Sequence, residues 1–350
     1  MTVSPFDHPL LSGLVGDEEA AQHFSLEADI DAMLRFEQAL VEAEAEHGVI
    51  PINVAAAIVK ALASFRPDTA KLKAGVTKDG VVVPELVRQI KAAAGEPYAA
   101  FVHFGATSQD VIDTSLVLRL SQVIDHITLL LGENVVRLTG LELEFGDREL
   151  LAMTRMQPAI PITAHDRIVS WRAPLERHQT RLAELSDRLL VVQFGGAAGT
   201  LEKLGDNGPA VRAALAVRLG LGDAPQWHSQ RDALAEFAGW LSLVTGSLGK
   251  FGQDIALMAQ AGTDIELSGG GGSSAMPHKQ NPVKAEALVA LARFNAVQLS
   301  GMHQALVHEQ ERSGVAWTLE WLILPQMVVA TAGALRLAAE LAGQIESLGR

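Results

Sequence analysis

Apolar residues in this chain recur every three to four positions over runs too long for strands. From Glu27 the residues Ile30, Met33, Leu34 and Leu40 mark one helical face, and the run stops at Gly48 with Pro51 beyond it. Shorter helices are predicted over 54–65 and over 84–94, the second with Pro84 in its first turn and Gly95 past its end. From Asp110 the scale changes: Ile112, Leu116, Leu120, Val123, Ile127, Leu130 and Leu131 continue one stripe towards Phe145. At 1.5 Å per residue that helix is on the order of 50 Å long. Further long runs are predicted over 163–190, 229–261, 282–310 and 318–348. Around 229–261 the residues Leu234, Phe237, Leu241, Val244, Leu248, Phe251, Ile255 and Met258 cover much of the circumference, more than one partner helix could bury. The pattern predicts an all-α fold: a small helical domain over 1–100 and a central bundle of long helices over 101–350 that also packs against neighbouring subunits. A glycine-rich connector, "VVQFGGAAGT" at 191–200, separates two of the runs.

Composition removes several functions. There is no cysteine, so disulfides and thiol chemistry are out, and catalysis must use oxygen and nitrogen groups. The net charge is −13 with no run of Lys or Arg, which argues against nucleic acid and anionic membrane as partners. The first residues carry no basic segment and turn acidic at Asp17, so they do not read as a signal peptide, and a cytoplasmic location is the default expectation. "WLILPQMVVATAGALRLAAELAG", from Trp321, is interrupted by Pro325, Gln326 and Arg336; it reads as a buried core helix. No metal site is expected, because His303 and His308 are five apart and cannot share a helical face as ligands.

One segment carries chemistry out of proportion to its length. "GGGGSSAMPHKQNP", 269–282, runs from four glycines into two serines, a His-Lys pair and an Asn-Pro that opens a helical run. Asn281 suits an N-cap and Pro282 a first turn, so the loop is predicted to end on the positive pole of a helix dipole. Lys279 adds a full charge, and the backbone amides of Ser273 and Ser274 add donors. Such a segment could hold a carboxylate or an enolate-like oxyanion. An ordinary solvent loop before a capped helix is the bland alternative; it does not call for so many specific side chains.

The string Gly-Ser-Ser-Ala-Met-Pro-His-Lys-Gln-Asn-Pro resembles the signature of the fumarase/aspartase superfamily. "HFGATSQDVIDT" at 103–114 and "TRMQPAIPI" at 154–162 resemble that superfamily's first and second conserved segments, the second in degraded form. The resemblance implies a long-helix bundle lacking the usual C-terminal third domain, a homotetramer with shared active sites, a small anionic di- or tricarboxylate as substrate, and no cofactor. It implies that Ser273 exchanges a proton with the carbon next to a carboxylate while Lys279 and Asn281 stabilise the aci-carboxylate. Thr107 and Ser108 would bind a carboxylate, with His103, Gln157 and Ser274 lining the same site.

Departures from the pattern narrow the reaction. Most members have Thr-His where this chain has Thr154-Arg155, and that histidine pairs with a glutamate corresponding here to Glu286. Arg155 cannot lose its proton, so it cannot serve as general acid or base. A lyase that expels an amine or hydroxide needs such an acid. A cycloisomerase that adds the substrate's own carboxylate across a double bond does not, because that group, with pKa near 4, is already ionised. "EQERSGVAWTLEWLILP", 309–325, resembles the 3-carboxy-cis,cis-muconate cycloisomerase family and lacks the His-Ser-Ser and Arg that adenylosuccinate lyases carry there. Lactonisation of a carboxymuconate is the implied reaction. The alternatives are a sulfomuconate as substrate, another lyase of the superfamily, or a catalytically silent scaffold. "QWHSQRD", 226–232, makes Arg231 a candidate substrate contact, and a structural ion pair is an equal reading for it and for Arg312. Arg155 is expected within ion-pair reach of Glu286. Trp317 and Trp321 read as packing, and His165, His228 and His303 as surface or core-edge residues.

Overall fold

The structure, a computed structural model, describes residues 3–272, 274–276 and 278–350. Ser273, the proton carrier implied by the resemblance, lies outside the described residues. Two short helices, α1 (Ser12–Val15) and α2 (Glu18–Gln22), lead into α3 (Leu26–Glu46), α4 (Ile52–Ser64), α5 (Thr69–Asp79) and α6 (Val83–Ala94). A 38-residue helix, α7 (Ser108–Phe145), follows. Then come strands β1 (Glu149–Thr154) and β2 (Gln157–Thr163), helices α8 (Ala164–Leu189), α9 (Gly208–Leu219) and α10 (Asp232–Ala261), strand β3 (Ile265–Leu267), helices α11 (Val283–Gln304) and α12 (Gly314–Ala342), and strand β4 (Ile345–Leu348). Each long helix predicted from periodicity is present, with ends within a few residues where a cap is available. Ser25 caps α3 by accepting from the Ala28 amide, and Thr163 caps α8 through the Asp166 amide.

Four local features escape the periodicity. Helix α5 is polar on most faces, and it forms between an Asp68 cap and Gly80 in the left-handed region. The degraded second segment is a β-hairpin, with Arg155 and Met156 both at positive φ in a two-residue turn between β1 and β2. Helix α11 stops at Gln304, short of 310, and the last run leaves helix after Ala342 to form β4, which pairs antiparallel with β3. Pro282, not Asn281, occupies the cap of α11, and no side chain caps it; the backbone of Asn281 is committed elsewhere.

Two apolar clusters organise the molecule. The larger joins α7, α8, α10, α11 and α12, where Leu120, Ile127, Phe237, Val244, Leu288, Met327 and Leu335 are fully buried. Helix α12 is buried almost all round, which explains why its sequence is apolar all round. The second cluster is built on α3, α4 and α6 but also draws in Val192, Phe194, Val211 and Leu215 from beyond α8, since α3 packs on both α7 and α9. Each fully buried Leu, Ile or Phe contributes roughly 2 kcal/mol, so both clusters are large against the net stability of a domain.

Contact between α10 and α11 is the most extensive in the bundle, and glycine sets its closeness. A Cβ on Gly252 would stand 2.7 Å from the Ala285 carbonyl oxygen, and one on Gly249 2.5 Å from the Ala292 Cβ. Backbone cannot yield cheaply there. Alanine would gain about 1 kcal/mol of helix propensity, but overpacking costs typically 1–3 kcal/mol. Gly252→Ala is therefore expected to lower the urea midpoint, and a higher midpoint would show that the two helices are not in this close register.

Candidate active site

The first segment is built around one carboxylate. Asp110, in the first turn of α7 and fully buried, accepts from the amides of Thr107 at 2.9 Å, Gly195 at 2.9 Å and Gly196 at 3.0 Å, and pairs with His228 Nε2 at 2.8 Å. These bonds fasten the glycine-rich connector against the start of α7 and hold Thr107, its N-cap, and Ser108 at partly open positions. His228 is therefore a fully buried residue that positions Asp110, correcting the surface or core-edge reading, and the sequence hinted at the role of Asp110 in the capping spacing Thr-x-x-Asp. Arg312 Nε donates to Gln109 at 3.0 Å and its Nη2 to the Ala197 carbonyl at 3.2 Å, which brings this exposed arginine to the same end of α7.

His103 stands just before that turn, in the left-handed region at φ 61°. Its Nδ1 lies 2.6 Å from Glu37 Oε1, a carboxylate of α3 that is 1% exposed. Burial alone would lower the His103 pKa; the charge and hydrogen bond of Glu37 outweigh it and raise the pKa above the ordinary histidine value. Two turns along α3, Glu44 is fully buried with neither carboxylate oxygen hydrogen-bonded, and burial together with the charge of Glu37 pushes its pKa up to about 9. Sequence reasoning missed both glutamates. The available signal was two acids seven apart inside the buried face that holds Met33, Phe36 and Leu40.

Arg231 is not available to a substrate. It is 2% exposed and donates to Asp113 from Nη1 at 2.6 Å and Nη2 at 3.1 Å, and to Glu320 from Nε at 2.8 Å and Nη2 at 2.5 Å, with Trp227 4.7 Å from its guanidinium carbon. This corrects the substrate-contact reading in favour of the structural ion pair. Trp317 belongs to the same network, donating to Asp113 at 3.0 Å and packing on Trp321 at 4.8 Å between ring centres. His165 pairs with Glu142 at 2.6 Å on the surface, and His303 is exposed. Among the described residues no three His, Asp or Glu side chains converge as a metal site.

The loop from Gly269 to Pro282 is a closed strap. Gly271 and Asn281 exchange both backbone hydrogen bonds at 2.9 Å, so the two ends of the strap meet at its base. Ser274 and Lys279 are exposed on it and Asn281 is half-buried. Gly271 is required by closeness, because a Cβ there would meet Val283 Cγ2 at 2.4 Å. A cavity of about 440 Å³ opens beneath the base, lined among others by Gly270, Asn281, Lys284, Glu340 and Gln344. The strap springs from β3, and its neighbour β4 runs into Arg350, whose backbone exchanges hydrogen bonds with Glu149 of β1. Strap and hairpin thus share one end of the bundle.

Helix α7 holds the first segment away from the other two. Thr107 and Ser108 stand before its first turn, and the hairpin bearing Arg155 and Gln157 begins four residues after its last. Thirty-eight residues span roughly 57 Å, and a six-residue strand folding straight back would recover only about 20 Å. One chain cannot bring His103, Thr107 and Ser108 together with Arg155, Gln157, Lys279 and Asn281. Against the expectation, among the described residues no ion pair joins Arg155 to Glu286 within one chain, and both side chains are exposed. In the hairpin Met153, Met156 and Ile160 are also exposed, an apolar surface on an element that the single chain leaves uncovered.

A family model described as lyase matches residues 15–297. The 3-carboxy-cis,cis-muconate cycloisomerase of Pseudomonas aeruginosa is 42% identical over 325 residues, covering 89% of this chain and 70% of that protein. The cycloisomerase of the same name from Pseudomonas putida is 40% identical over 332 residues, covering 92% and 78%. In three dimensions the 3-carboxy-cis,cis-muconate lactonizing enzyme from Pseudomonas putida matches with a TM-score of 0.90 at 39% identity, over 97% of this chain and 77% of that one. The chain belongs to the lyase family of the fumarase/aspartase superfamily.

The buried acid on α3 has a consequence for stability. With Glu44 titrating near 9 in the folded state and near 4.5 when exposed, the folded chain holds one proton more than the unfolded chain between those values. Stability therefore falls as pH rises through that window. Glu44→Gln, which cannot ionise, should gain on the parent protein by about 2–4 kcal/mol between pH 5 and pH 8 in urea melts. A constant gap would mean that Glu44 is already ionised in the fold.

Proposed function

We propose that the protein is a cycloisomerase that lactonises 3-carboxy-cis,cis-muconate. The observation that carries this reading is the match in sequence and fold to cycloisomerases of that name along nearly the whole chain. It is joined by a fixed cation, Arg155, where an eliminating lyase needs a titrating acid. An internal carboxylate of the substrate adds across the double bond, and a proton goes to the carbon α to another carboxylate. Ser273 is the proton donor in this reading. Lys279 and Asn281 hold the negative charge that builds on the α-carboxylate, and Ser274, at the same strap, supplies a further donor. Thr107, Ser108 and His103 hold one carboxylate, and Gln157 and Arg155 a second. Glu286, in the first turn of α11, is assigned to the pocket wall near Arg155. No step calls for a cofactor.

The active unit is a homotetramer in a soluble, cytoplasmic setting, with each site assembled from several subunits. The length of α7 supports this, since segments at its two ends can meet only between chains. So does its surface: Leu129, Val136 and Leu143, spaced by seven, are 72%, 70% and 85% exposed in the single chain, and Val315 and Leu322 repeat the spacing on α12. A sulfonate would suit Arg155 as well as a carboxylate does. Steady-state kinetics on 3-carboxy- and 3-sulfomuconate side by side separate the two, and turnover of neither overturns the proposal.

Ser273→Ala should cut turnover by several orders of magnitude without altering the elution volume of the assembly; near-normal turnover would remove Ser273 from the proton step. Val136→Glu combined with Leu143→Glu should dissociate the tetramer on size exclusion and abolish activity with it. Active monomers would show that one chain completes the site.

A further inference from the structure

His103 and Glu37 form a buried pair that the lactonisation scheme does not yet use. Glu37 reaches His103 from α3, a helix that contributes no other group to the candidate site, across 66 residues of sequence. The contact is short, and only one nitrogen of the ring is engaged. Nδ1 faces Glu37, and among the described residues Nε2 has no protein partner, although the side chain is only 15% exposed. On the carboxylate, Glu37 Oε2 is buried without a partner, so the whole hydrogen-bonding capacity used by this glutamate goes to His103. A carboxylate buried to this degree and spent on one imidazole has a large effect on that ring's charge.

Resting on the functional reading above, we propose that Glu37 is a positioning residue that keeps His103 an imidazolium with Nε2–H turned to a substrate carboxylate. Two further charges bear on the ring. Asp110 of α7 favours the cation, although its own oxygens are occupied by three amides and His228. Lys91 of α6 opposes it. Glu44 stands behind Glu37 on α3 and is held neutral by burial, so it adds no charge towards the ring at neutral pH. A substrate with three carboxylates needs fixed positive charge, and this chain has few cations at the first segment. A histidine locked as a cation supplies one. Its left-handed backbone fixes the ring's approach, and the net raised pKa agrees with the geometry.

The sign follows. The cation persists below the raised His103 pKa and is lost as pH passes it, so affinity falls there; without Glu37 the loss moves down to the ordinary value of about 6.5 or below it, because burial alone lowers the pKa. The test uses the assembled enzyme labelled with 13Cε1-histidine, the His103 signal being identified by its absence in His103→Gln. In Glu37→Gln that signal should titrate at a lower pH than in the parent. KM for 3-carboxymuconate should rise at least tenfold between pH 6 and pH 8 in Glu37→Gln, with kcat changed less than about threefold, while the parent's KM stays flat to a higher pH. Glu37→Asp, which keeps the charge, should restore most of the profile; if Glu37→Gln does not assemble, the parent's own His103 signal carries the test, and a titration at or below the ordinary histidine value of about 6.5 overturns the role of Glu37. An unmoved titration, or KM profiles of the same shape, overturns the role of Glu37 even with normal parent turnover. Parent enzyme inactive on both muconates overturns the functional reading instead, whatever the titration does.

Discussion

A rigid rod separates the parts of this site. Helix α7 places the turn proposed to bind a carboxylate before its first residue and the hairpin bearing Arg155 just after its last, roughly 57 Å away. A stable helix of that length does not fold back, so in the proposed enzyme the three segments can meet only between chains. The exposed apolar stripe along α7 and the uncovered hairpin are what such a rod leaves behind when one chain is viewed alone. Catalysis and assembly are then a single event in the proposed enzyme.

Around that rod, buried charge does the positioning. Asp110 gathers four donors from three parts of the chain and thereby fastens the glycine connector to the start of α7. One helical turn on, Asp113 and Glu320 clamp Arg231, and Trp317 closes the network. Burial by itself would raise the Glu320 pKa, yet the bonds from Arg231 pull it below the ordinary value. Each of these groups would be costly alone in the core; paired and hydrogen-bonded, they tie α7, α10 and α12 into one register. Arg231 shows how such a network can imitate a binding site in sequence, because an arginine in a conserved-looking stretch reads the same whether it meets a substrate or two buried acids.

At the strap the structure redistributes roles. Asn281 reads in sequence as a helix cap, but its backbone closes the base of the loop with Gly271 and leaves the cap to Pro282. The four glycines then serve two purposes: Gly271 admits the close approach of Val283, whereas Gly272 has open space around its Cβ position. The strap's outer limb, with Ser274 and Lys279, projects from a pinned base at the same end as the hairpin.

The long helices, their caps and the loop's chemistry were legible in the sequence because they rest on local rules: a 3.6-residue period, a hydroxyl or carboxylate at a helix start, glycine where the backbone must turn. The family followed from one string of eleven residues and two further segments that agreed with it. What stayed hidden was every pairing across distance. Glu37 with His103, His228 with Asp110 and Arg231 with its two acids join residues dozens of positions apart, and no local pattern says which charge meets which. The hairpin at 149–163 was hidden for a related reason, since its strands are short and mostly exposed and its turn uses left-handed Arg and Met in place of glycine. Periodicity settles which face of an element is buried; only tertiary structure decides against what, because burial energy is indifferent to the partner and pairing of charge is not.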